Sequence, residues 1–239
     1  YFKITNDIDL QKDGEFLGIC ASIITGSSDA HVQFAGHIDG DGHTIHNMVI
    51  KNSMTWTTAP TANKMGTPTT RNCIGYKGFI GRMAPSGSVK NLNIAADCDL
   101  TELWATSGAL VGYNYGTIEN CRNYANVTGY SCWIGGIAGQ NQKGAVIRNC
   151  FNAGNIVSGY MNVGGISGTN YGLIENCENT GTIECKVIST FISGSKVNKL
   201  NSVGGICGGQ TGGRVINCVN SGTTYGYGRV AGISGSLNE

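Results

Sequence analysis

The carboxylates with the clearest potential for chemistry lie near the start of the 239-residue chain. Asp7, Asp9, Asp39 and Asp41 could converge if this part of the chain folds back on itself. In some repeat proteins, acidic clusters with a lysine or arginine alongside cleave polysaccharides by acid–base catalysis. The sequence shows no nucleophile beside a base, so we assign no catalytic residue and do not expect an enzyme.

The histidines raise the question of a metal site. All four lie in the first fifth of the chain, at His31, His37, His43 and His46. His43 and His46 are three residues apart, without the H-E-x-x-H spacing of metallopeptidases, and on a strand they would point to opposite faces. The segment 39–42, Asp-Gly-Asp-Gly, is similar to the start of a calcium loop but lacks the remaining ligands, so a tight turn is the better interpretation. We therefore predict neither a metal nor a cofactor.

A glycine-rich repeat decides which elements position these side chains. The unit reads small–Gly–apolar–small–Gly, then about ten residues, then apolar-x-Asn-Cys and x-Asn-x-Gly. Its copies start 31, 27, 29, 40 and 27 residues apart. The glycine halves of the copies are Lys77–Gly81, Gly108–Gly112, Gly135–Gly139, Gly164–Gly168, Gly204–Gly208 and Ala231–Gly235.

This repeat predicts an all-β fold. Each unit carries apolar stretches of three to five residues broken by glycine or asparagine, with no helical period. Such units suit about three short strands and three bends, which make one coil of a solenoid, and stacked coils pair strand on strand about 4.8 Å apart. Parallel crossovers are right-handed, so we expect one right-handed parallel β-helix.

The repeated asparagines are predicted to be structural. One series precedes the cysteine column and should occupy a bend in the left-handed conformation: Asn120, Asn149, Asn176 and Asn217. Two further series should form amide ladders between coils. They comprise Asn123, Asn152, Asn179 and Asn220, and Asn114, Asn141 and Asn170 with Gln210 in the next slot.

The cysteines that recur in the repeat are interpreted as buried apolar groups. These four of the ten cysteines occupy one slot of the repeat: Cys121, Cys150, Cys177 and Cys218. Leu92 fills the same slot in an earlier copy, and leucine replaces a buried thiol but not a disulfide partner or metal ligand. A disulfide ladder is the alternative, because stacked coils lie within bridging distance.

The unit G-G-[IL]-x-G-x-N-x-G-x-I-x-N-C-x-N-x-G closely resembles the GLUG-motif repeat of bacterial surface and secreted proteins. The resemblance covers about residues 77–239, and the opening segments 1–10 and 34–45 are similar to the region that precedes such repeats. It implies a secreted or cell-surface β-solenoid. Repeats of this kind also occur in some IgA-cleaving metallopeptidases, outside the protease domain, so the resemblance implies display, adhesion or spacing and no shared chemistry.

The chain is expected to be one continuous solenoid. Residues 1–76 would form the first coils or a cap, with a threonine-rich excursion at 53–76, and residues 77–239 the repeat coils, with an insertion near 186–201. The last copy stops before its Asn-Cys half, so the remainder of a larger chain is expected to follow, and a targeting signal would have been removed.

The composition of the chain restricts the classes of partner that it can bind. A net charge of +1 with 13% charged residues argues against nucleic acid, and no apolar run is long enough to span a membrane. Aromatic residues in the excursion and the coil connections are the candidate binding residues for a host or glycan surface ligand: Trp56, Trp104, Trp133 and Tyr160. We expect a non-catalytic interaction module of an exported bacterial protein, serving adhesion or ligand display. The alternative is a β-helix lyase or glycosidase acting on polysaccharide.

Overall fold

The computed structural model describes residues 1–11, 14–21, 32–51, 56–58, 67–68, 75–103, 105–129, 133–159, 161–186, 201–226 and 228–238. This part of the chain winds into a parallel β-helix, as the repeat predicts. Each full coil passes in turn through five parallel sheets, which we number 1 to 5 in that order, beginning with the sheet that contains the N-terminal strand. A separate antiparallel pair joins Trp56–Thr58 to Thr67–Pro68.

Sheets 1 to 3 form one part of each coil. Sheet 1 contains Phe2–Lys3, His37–Asp39, Ser88–Lys90, Thr117–Glu119, Val146–Arg148, Leu173–Glu175 and Arg214–Ile216. Sheet 2 contains Ile8–Asp9, Thr44–His46, Asn93–Ile94, Arg122–Asn123, Phe151–Asn152, Glu178–Asn179 and Val219–Asn220. Sheet 3 contains Leu100–Leu103, Val127–Gly129, Ile156–Ser158, Ile183–Cys185 and Thr224–Tyr225.

Sheets 4 and 5 complete the coil. Sheet 4 contains Tyr76–Lys77, Thr106–Gly108, Trp133–Gly135, Asn162–Gly164, Asn201–Gly204 and Gly228–Ala231. Sheet 5 contains Ile80–Met83, Val111–Asn114, Ala138–Asn141, Ser167–Asn170, Cys207–Thr211 and Ser234–Asn238. The N-terminal strands belong to the same sheets 1 and 2 as the repeat strands.

Each coil has five strand segments where the repeat length suggested about three. The difference arises because the chain bends more often than a three-sided coil requires. A left-handed asparagine separates sheets 1 and 2, and the glycine-rich corner separates sheets 4 and 5. Most segments are therefore only two to four residues long.

Branched apolar side chains fill the inside of the coils. In sheet 1, Ile118, Ile147 and Ile174 lie directly above one another and are fully buried. A second column at the sheet 4–5 corner contains Leu110, Ile137, Ile166 and Ile206, all with no exposed surface. Because each side chain packs on its counterpart one coil away, burial stabilises the stack and not a single coil.

Buried asparagines bond the coils through their side chains. Asn123 donates to Asn152 at 2.8 Å, Asn152 to Asn179 at 2.7 Å, and Asn179 to Asn220 at 2.7 Å. The Asn123, Asn152 and Asn179 amides also donate to the backbone carbonyl two residues further along the chain, at 2.9 Å. The donors are thereby satisfied without water, which removes the cost of burying them.

A second amide ladder runs through sheet 5. Asn114 donates to Asn141 at 2.9 Å, and Asn141 donates to Asn170 at 2.8 Å. All three side chains are fully buried. The two ladders fix the register, since a coil shifted by one residue would lose its amide partners.

The asparagines before the cysteines act mainly through their backbone. Asn120, Asn149, Asn176 and Asn217 have φ between 50° and 54°, as has Asn91 one coil earlier. Asparagine adopts this left-handed conformation at low cost. Among the described residues this column has one amide–amide bond, from Asn120 to Asn91 at 3.2 Å, so it makes the turn more than it makes a ladder.

The paired glycines Gly136 and Gly165 do not have positive φ. These positions require glycine because there is no room for a Cβ atom. A Cβ on Gly165 would overlap the Gly205 carbonyl oxygen and the Asn179 amide. The glycine therefore lets the next coil and the asparagine ladder approach closely.

The described cysteines are free thiols. Those at 121, 150, 177 and 218 each donate to the carbonyl two residues earlier at 3.2 Å. Burial raises the pKa of Cys150 well above its usual value and raises the pKa of Cys207 to about 12. Such thiols stay protonated and behave as small apolar groups.

The chain makes its excursions at one corner of the coil. Residues 52–74 connect Lys51 to the sheet 4 strand at Tyr76, and residues 187–200 connect the end of sheet 3 to Asn201 in sheet 4. Of the predicted excursion at 53–76 the structure describes the antiparallel pair and the residues from Gly75 onwards. The predicted insertion lies outside the described residues between Lys186 and Asn201. Within the described part of the chain there is no helix long and apolar enough to cross a membrane.

The first test concerns close coil stacking. Gly165→Ala should lower the free energy of unfolding by about 3 kcal/mol or more, because its Cβ meets backbone and buried amide atoms that cannot move aside. Gly232 occupies the same repeat position in the last coil, and a Cβ atom added there would have no neighbour within 4 Å, so Gly232→Ala is the matched control. Chemical denaturation followed by circular dichroism measures both, and equal effects would contradict the role of close stacking.

The second test concerns the buried amides. Asn152→Ala should lower the free energy of unfolding by about 1–3 kcal/mol for each buried polar group that loses its partner. Asn123 and Asn179 each lose one hydrogen bond in this variant. Asn126→Ala removes an amide that accepts from the Asn155 N–H at 2.9 Å in an exposed position. That control should cost about 1 kcal/mol or less, because water replaces the bond. A loss at Asn152 no larger than at Asn126 would show that the ladder does not stabilise the stack.

Candidate ligand-binding groove

A cleft of about 340 Å³ opens on the outer surface of sheets 4 and 5. Its lining, which we call the aromatic groove, consists of Gly75, Tyr76, Thr106, Tyr113, Trp133, Gln140 and Tyr171. No charged residue belongs to this lining. Four of the seven residues are aromatic, an unusual concentration for a chain with 8% aromatic residues.

These side chains point outward because successive residues of a strand lie on opposite faces of the sheet. In sheet 4, Tyr76 pairs with Thr106, and Trp133 follows one coil later in the same column. The next residue along each strand faces inward, as the buried Ile134 and Val163 show. Since successive strand residues point to opposite faces, the apolar core column fixes the outward column beside it.

Sheet 5 supplies the neighbouring outward column. Arg82, Tyr113, Gln140 and Thr169 lie directly above one another on successive coils. Each sits between a glycine and a larger inward residue, in the variable slot of the repeat. The groove is thus made of two adjacent columns whose spacing is set by the coil stack.

The tyrosines at the N-terminal end of the groove form a packed cluster. The ring centroids of Tyr76 and Tyr113 lie 4.6 Å apart, and those of Tyr113 and Tyr115 lie 5.3 Å apart. Both pairs are tilted, at 52° and 53°, which is a favourable geometry for aromatic rings. Burial, and next the neighbouring Tyr115, raise the pKa of Tyr113 above its usual value, so this hydroxyl stays neutral.

Arg82 closes this end of the groove. Its guanidinium carbon lies 5.6 Å from the centre of the Tyr76 ring, 5.5 Å from that of Tyr113 and 5.3 Å from that of Tyr115. The Nε atom is buried and has no hydrogen-bond partner among the described residues. Three aromatic rings therefore hold one cation in place, and no carboxylate of the described residues neutralises it.

The groove becomes more polar beyond Trp133. Asn162 Nδ2 donates to Thr169 Oγ1 at 3.0 Å, and Gln142 Nε2 donates to Gln140 Oε1 at 2.6 Å. These amides and hydroxyls present both donors and acceptors beside the aromatic rings. The surface can stack on an apolar face and hydrogen-bond a polar edge of the same ligand.

The acidic residues noted in the sequence gather on sheets 1 and 2, where other groups already engage them. Asp7 accepts from the Thr44 N–H at 2.9 Å and contacts His43 at 3.2 Å. Asp9 accepts from the Asn47 amide at 2.9 Å, and Asp97 contacts His46 at 2.8 Å. These contacts bridge successive coils and give the histidines structural partners.

Asp39 is the most heavily engaged of these acids. It accepts from Asn91 at 2.9 Å, from the Asp41 N–H at 3.0 Å and from the Tyr1 hydroxyl at 2.9 Å, with Lys90 at 3.2 Å. These bonds, led by that from Asn91, hold its pKa well below the usual range. The described residues contain no group of three or more His, Cys, Asp or Glu that could hold a metal ion.

The structure brings one predicted binding residue, Trp133, into the lining of the groove. Trp104 and Tyr160 lie outside the described residues, as does the side chain of Trp56. Sequence reasoning missed the other six lining residues, which are Gly75, Tyr76, Thr106, Tyr113, Gln140 and Tyr171, and it also missed Arg82 beside them. Two of the six, Tyr113 and Gln140, could have been found from their slot between the fixed glycine and asparagine, where the repeat varies.

Comparison with known proteins supports the fold. Residues 159–184 match the family described as the GLUG motif. The chain also resembles a crystal structure from Bacteroides ovatus named as a "putative immunoglobulin A1 protease". That match has a TM-score of 0.50 at 19% sequence identity and covers 98% of this chain and 77% of the other. No curated protein sequence matches the chain. At this identity the likeness shows the β-helix alone and does not decide between an interaction module and an enzyme.

The contact between His46 and Asp97 can be tested through the pH dependence of protein stability. Hydrogen bonding to Asp97 raises the pKa of His46 above its unfolded value of about 6.5. A raised pKa means that the contact stabilises the fold fully below about pH 6.5 and that this stability is lost as the pH rises through the folded value. The denaturant concentration at the unfolding midpoint should therefore decrease as the pH rises from 6 to 8, and Asp97→Asn should flatten this dependence.

The control for this test is Asp99→Asn. Asp99 pairs with Lys51 at 2.8 Å, and lysine does not titrate in this range. In the control, the denaturant concentration at the unfolding midpoint should depend on pH between 6 and 8 as it does in the wild-type protein. A wild-type slope that survives in Asp97→Asn would contradict the assignment to His46.

Proposed function

We propose that this β-helix is a non-catalytic carbohydrate-binding module of an exported protein, and that the aromatic groove is its binding surface. The observation that carries the proposal is the set of Tyr76, Tyr113, Trp133 and Tyr171 around one cleft on a rigid sheet. These four side chains are partly exposed, and partly exposed aromatic side chains gathered in a concave surface are rarely explained by folding alone.

Carbohydrate suits the chemistry of this surface. A sugar ring has an apolar C–H face, which can pack on an aromatic ring, and hydroxyl groups around its edge. Thr106, Gln140 and the neighbouring Asn162 offer hydroxyl and amide partners for those hydroxyls. Since the side chains project from paired strands, little conformational entropy is lost when a ligand binds.

Binding without hydrolysis is favoured by the absence of acids from the groove. Glycoside hydrolysis generally requires a pair of carboxyl groups on either side of the scissile bond. None of the lining residues is an aspartate or glutamate. The polysaccharide-cleaving alternative would have to use the acids of sheets 1 and 2, which are already bonded across coils.

Export is part of the proposal. The match to the GLUG motif at residues 159–184 supports it, because repeats of this type resemble those of bacterial surface and secreted proteins. The solenoid would then hold the groove away from the rest of its protein and present it for adhesion or ligand display.

The test is binding to an array of host-type and bacterial glycans, followed by titration calorimetry on those retained. Trp133→Ala should weaken binding by about tenfold or more, the effect of losing a central aromatic contact. Tyr124→Ala is the matched control, since Tyr124 is 40% exposed and packs on Phe151 away from the groove. Circular dichroism of each variant establishes that it is folded.

Two results would contradict the proposal. One is the absence of binding to any glycan at millimolar concentration. The other is release of shortened sugars from a bound polysaccharide, which would make the chain an enzyme. Loss of binding in Tyr124→Ala but not in Trp133→Ala would move the binding surface to sheet 2.

A further inference from the structure

The charges of the chain are segregated between the faces of the solenoid. The described residues of sheets 4 and 5, with the corners and turns joining them, are 75–84, 105–116, 133–145, 161–172, 201–213 and 228–238. They contain four cationic residues and none of the 15 acids of the chain. The cations are Lys77, Arg82, Lys143 and Arg229.

We infer that the ligand of the aromatic groove is an anionic saccharide, bearing carboxylate or sulfate groups, and that Arg82 receives its charge. This inference rests on the proposed carbohydrate-binding function and adds the substrate class. A face that carries cations and no acids within the described residues attracts anions, whereas a nearly neutral chain as a whole does not.

Arg82 is the cation that the geometry places at the groove. Its guanidinium lies within 5.6 Å of the centres of the Tyr76 and Tyr113 rings, which are part of the lining. Arg122, Arg148 and Arg214 lie instead on sheets 1 and 2. Arg148 contacts Glu119 there at 3.2 Å, and Arg122 lies over the ring of Phe151. Arg82 has no carboxylate partner among the described residues, so its charge is available to a ligand.

Two further cations lie along the same face. Arg229 continues the outward column of sheet 4, three coils beyond Trp133, through Asn162 and Ser202. Lys143 lies in the turn after the sheet 5 strand Ala138–Asn141. Both are exposed. Lys77 differs, because it is 5% exposed and pairs with the core-facing Ser107, so it does not contribute to the outer surface.

The two segments that connect to sheet 4 also contain cationic residues and no acidic ones in their sequence. Residues 52–74 and 187–200, which enter sheet 4 and lie mostly outside the described residues, contain Lys64, Arg71, Lys196 and Lys199 and no acid. The sequences of these two segments therefore carry cations and no acid, as does the described part of sheets 4 and 5. Among the described residues, the carboxylates that would repel an anionic polymer lie on sheets 1 to 3 and in the first coils.

The experiment compares charged and neutral forms of the same sugar. Sialyllactose is titrated against lactose for the carboxylate, and a chondroitin sulfate hexasaccharide against its chemically desulfated form for the sulfate. Calorimetry is carried out at about 50 mM and about 500 mM sodium chloride. We expect at least one charged form to bind about tenfold more tightly than its neutral counterpart at low salt and to lose most of this advantage at high salt.

Arginine variants locate the charge recognition. Arg82→Gln should reduce the affinity for the charged form by about tenfold and that for the neutral form by a clearly smaller factor. Arg122→Gln is the matched control, since Arg122 also lies over an aromatic ring, at 5.5 Å, but on sheet 2. If Arg82→Gln fails to fold, the salt dependence of the wild-type protein still tests whether the anionic group is recognised, and Arg82→Lys, which keeps the charge and loses the planar guanidinium, tests the residue.

The outcomes separate this inference from the proposed function. Equal binding of charged and neutral sugars, or an equal effect of the two arginine variants, would overturn the inference and leave a carbohydrate-binding module. No binding of any sugar would overturn both. A ten-nucleotide single-stranded DNA that binds more tightly than every saccharide would also overturn the inference, because aromatic rings and arginine suit single strands as well.

Discussion

The close approach of one coil to the next is the constraint on which the rest of the structure depends. At the glycine corners the neighbouring backbone leaves no space for a Cβ atom, as at Gly136 and Gly165. The buried amides of Asn123 and Asn152 then bond directly across the gap at 2.8 Å. Steric exclusion and amide pairing act together, so each coil has one position on its neighbour.

This strict stacking separates structural slots from free ones. The inward residues and the corners are restricted mainly to isoleucine, asparagine, cysteine and glycine, whereas the outward slots of sheets 4 and 5 accept Tyr113, Gln140 or Thr169 without changing the fold. A solenoid of this kind resembles other repeat proteins, in which a regular core presents a variable surface. The aromatic groove and its arginine occupy such free slots, while the acids on sheets 1 and 2 serve coil-to-coil contacts.

The repeat was sufficient to predict the parallel β-helix, because the glycine and asparagine spacing recurs often enough to define a coil. It did not predict five strand segments per coil, since each bend depends on local backbone geometry. The aromatic groove was more difficult to predict from the sequence than the fold. Trp133 was identified as a candidate binding residue from its place near a coil connection. Tyr76 and Arg82, however, lie at the degenerate first copy, and only the strand register shows that they share a face with Trp133.

A crystal structure of the protein with a bound charged oligosaccharide is the decisive measurement. We predict a sugar ring packed on the side chains of Trp133 or Tyr113, with its carboxylate or sulfate within hydrogen-bonding distance of the Arg82 guanidinium and no change in the coil stack. A sugar bound instead beside Asp7 and Asp97 on sheets 1 and 2, with the aromatic groove empty, would contradict the assignment of the binding surface.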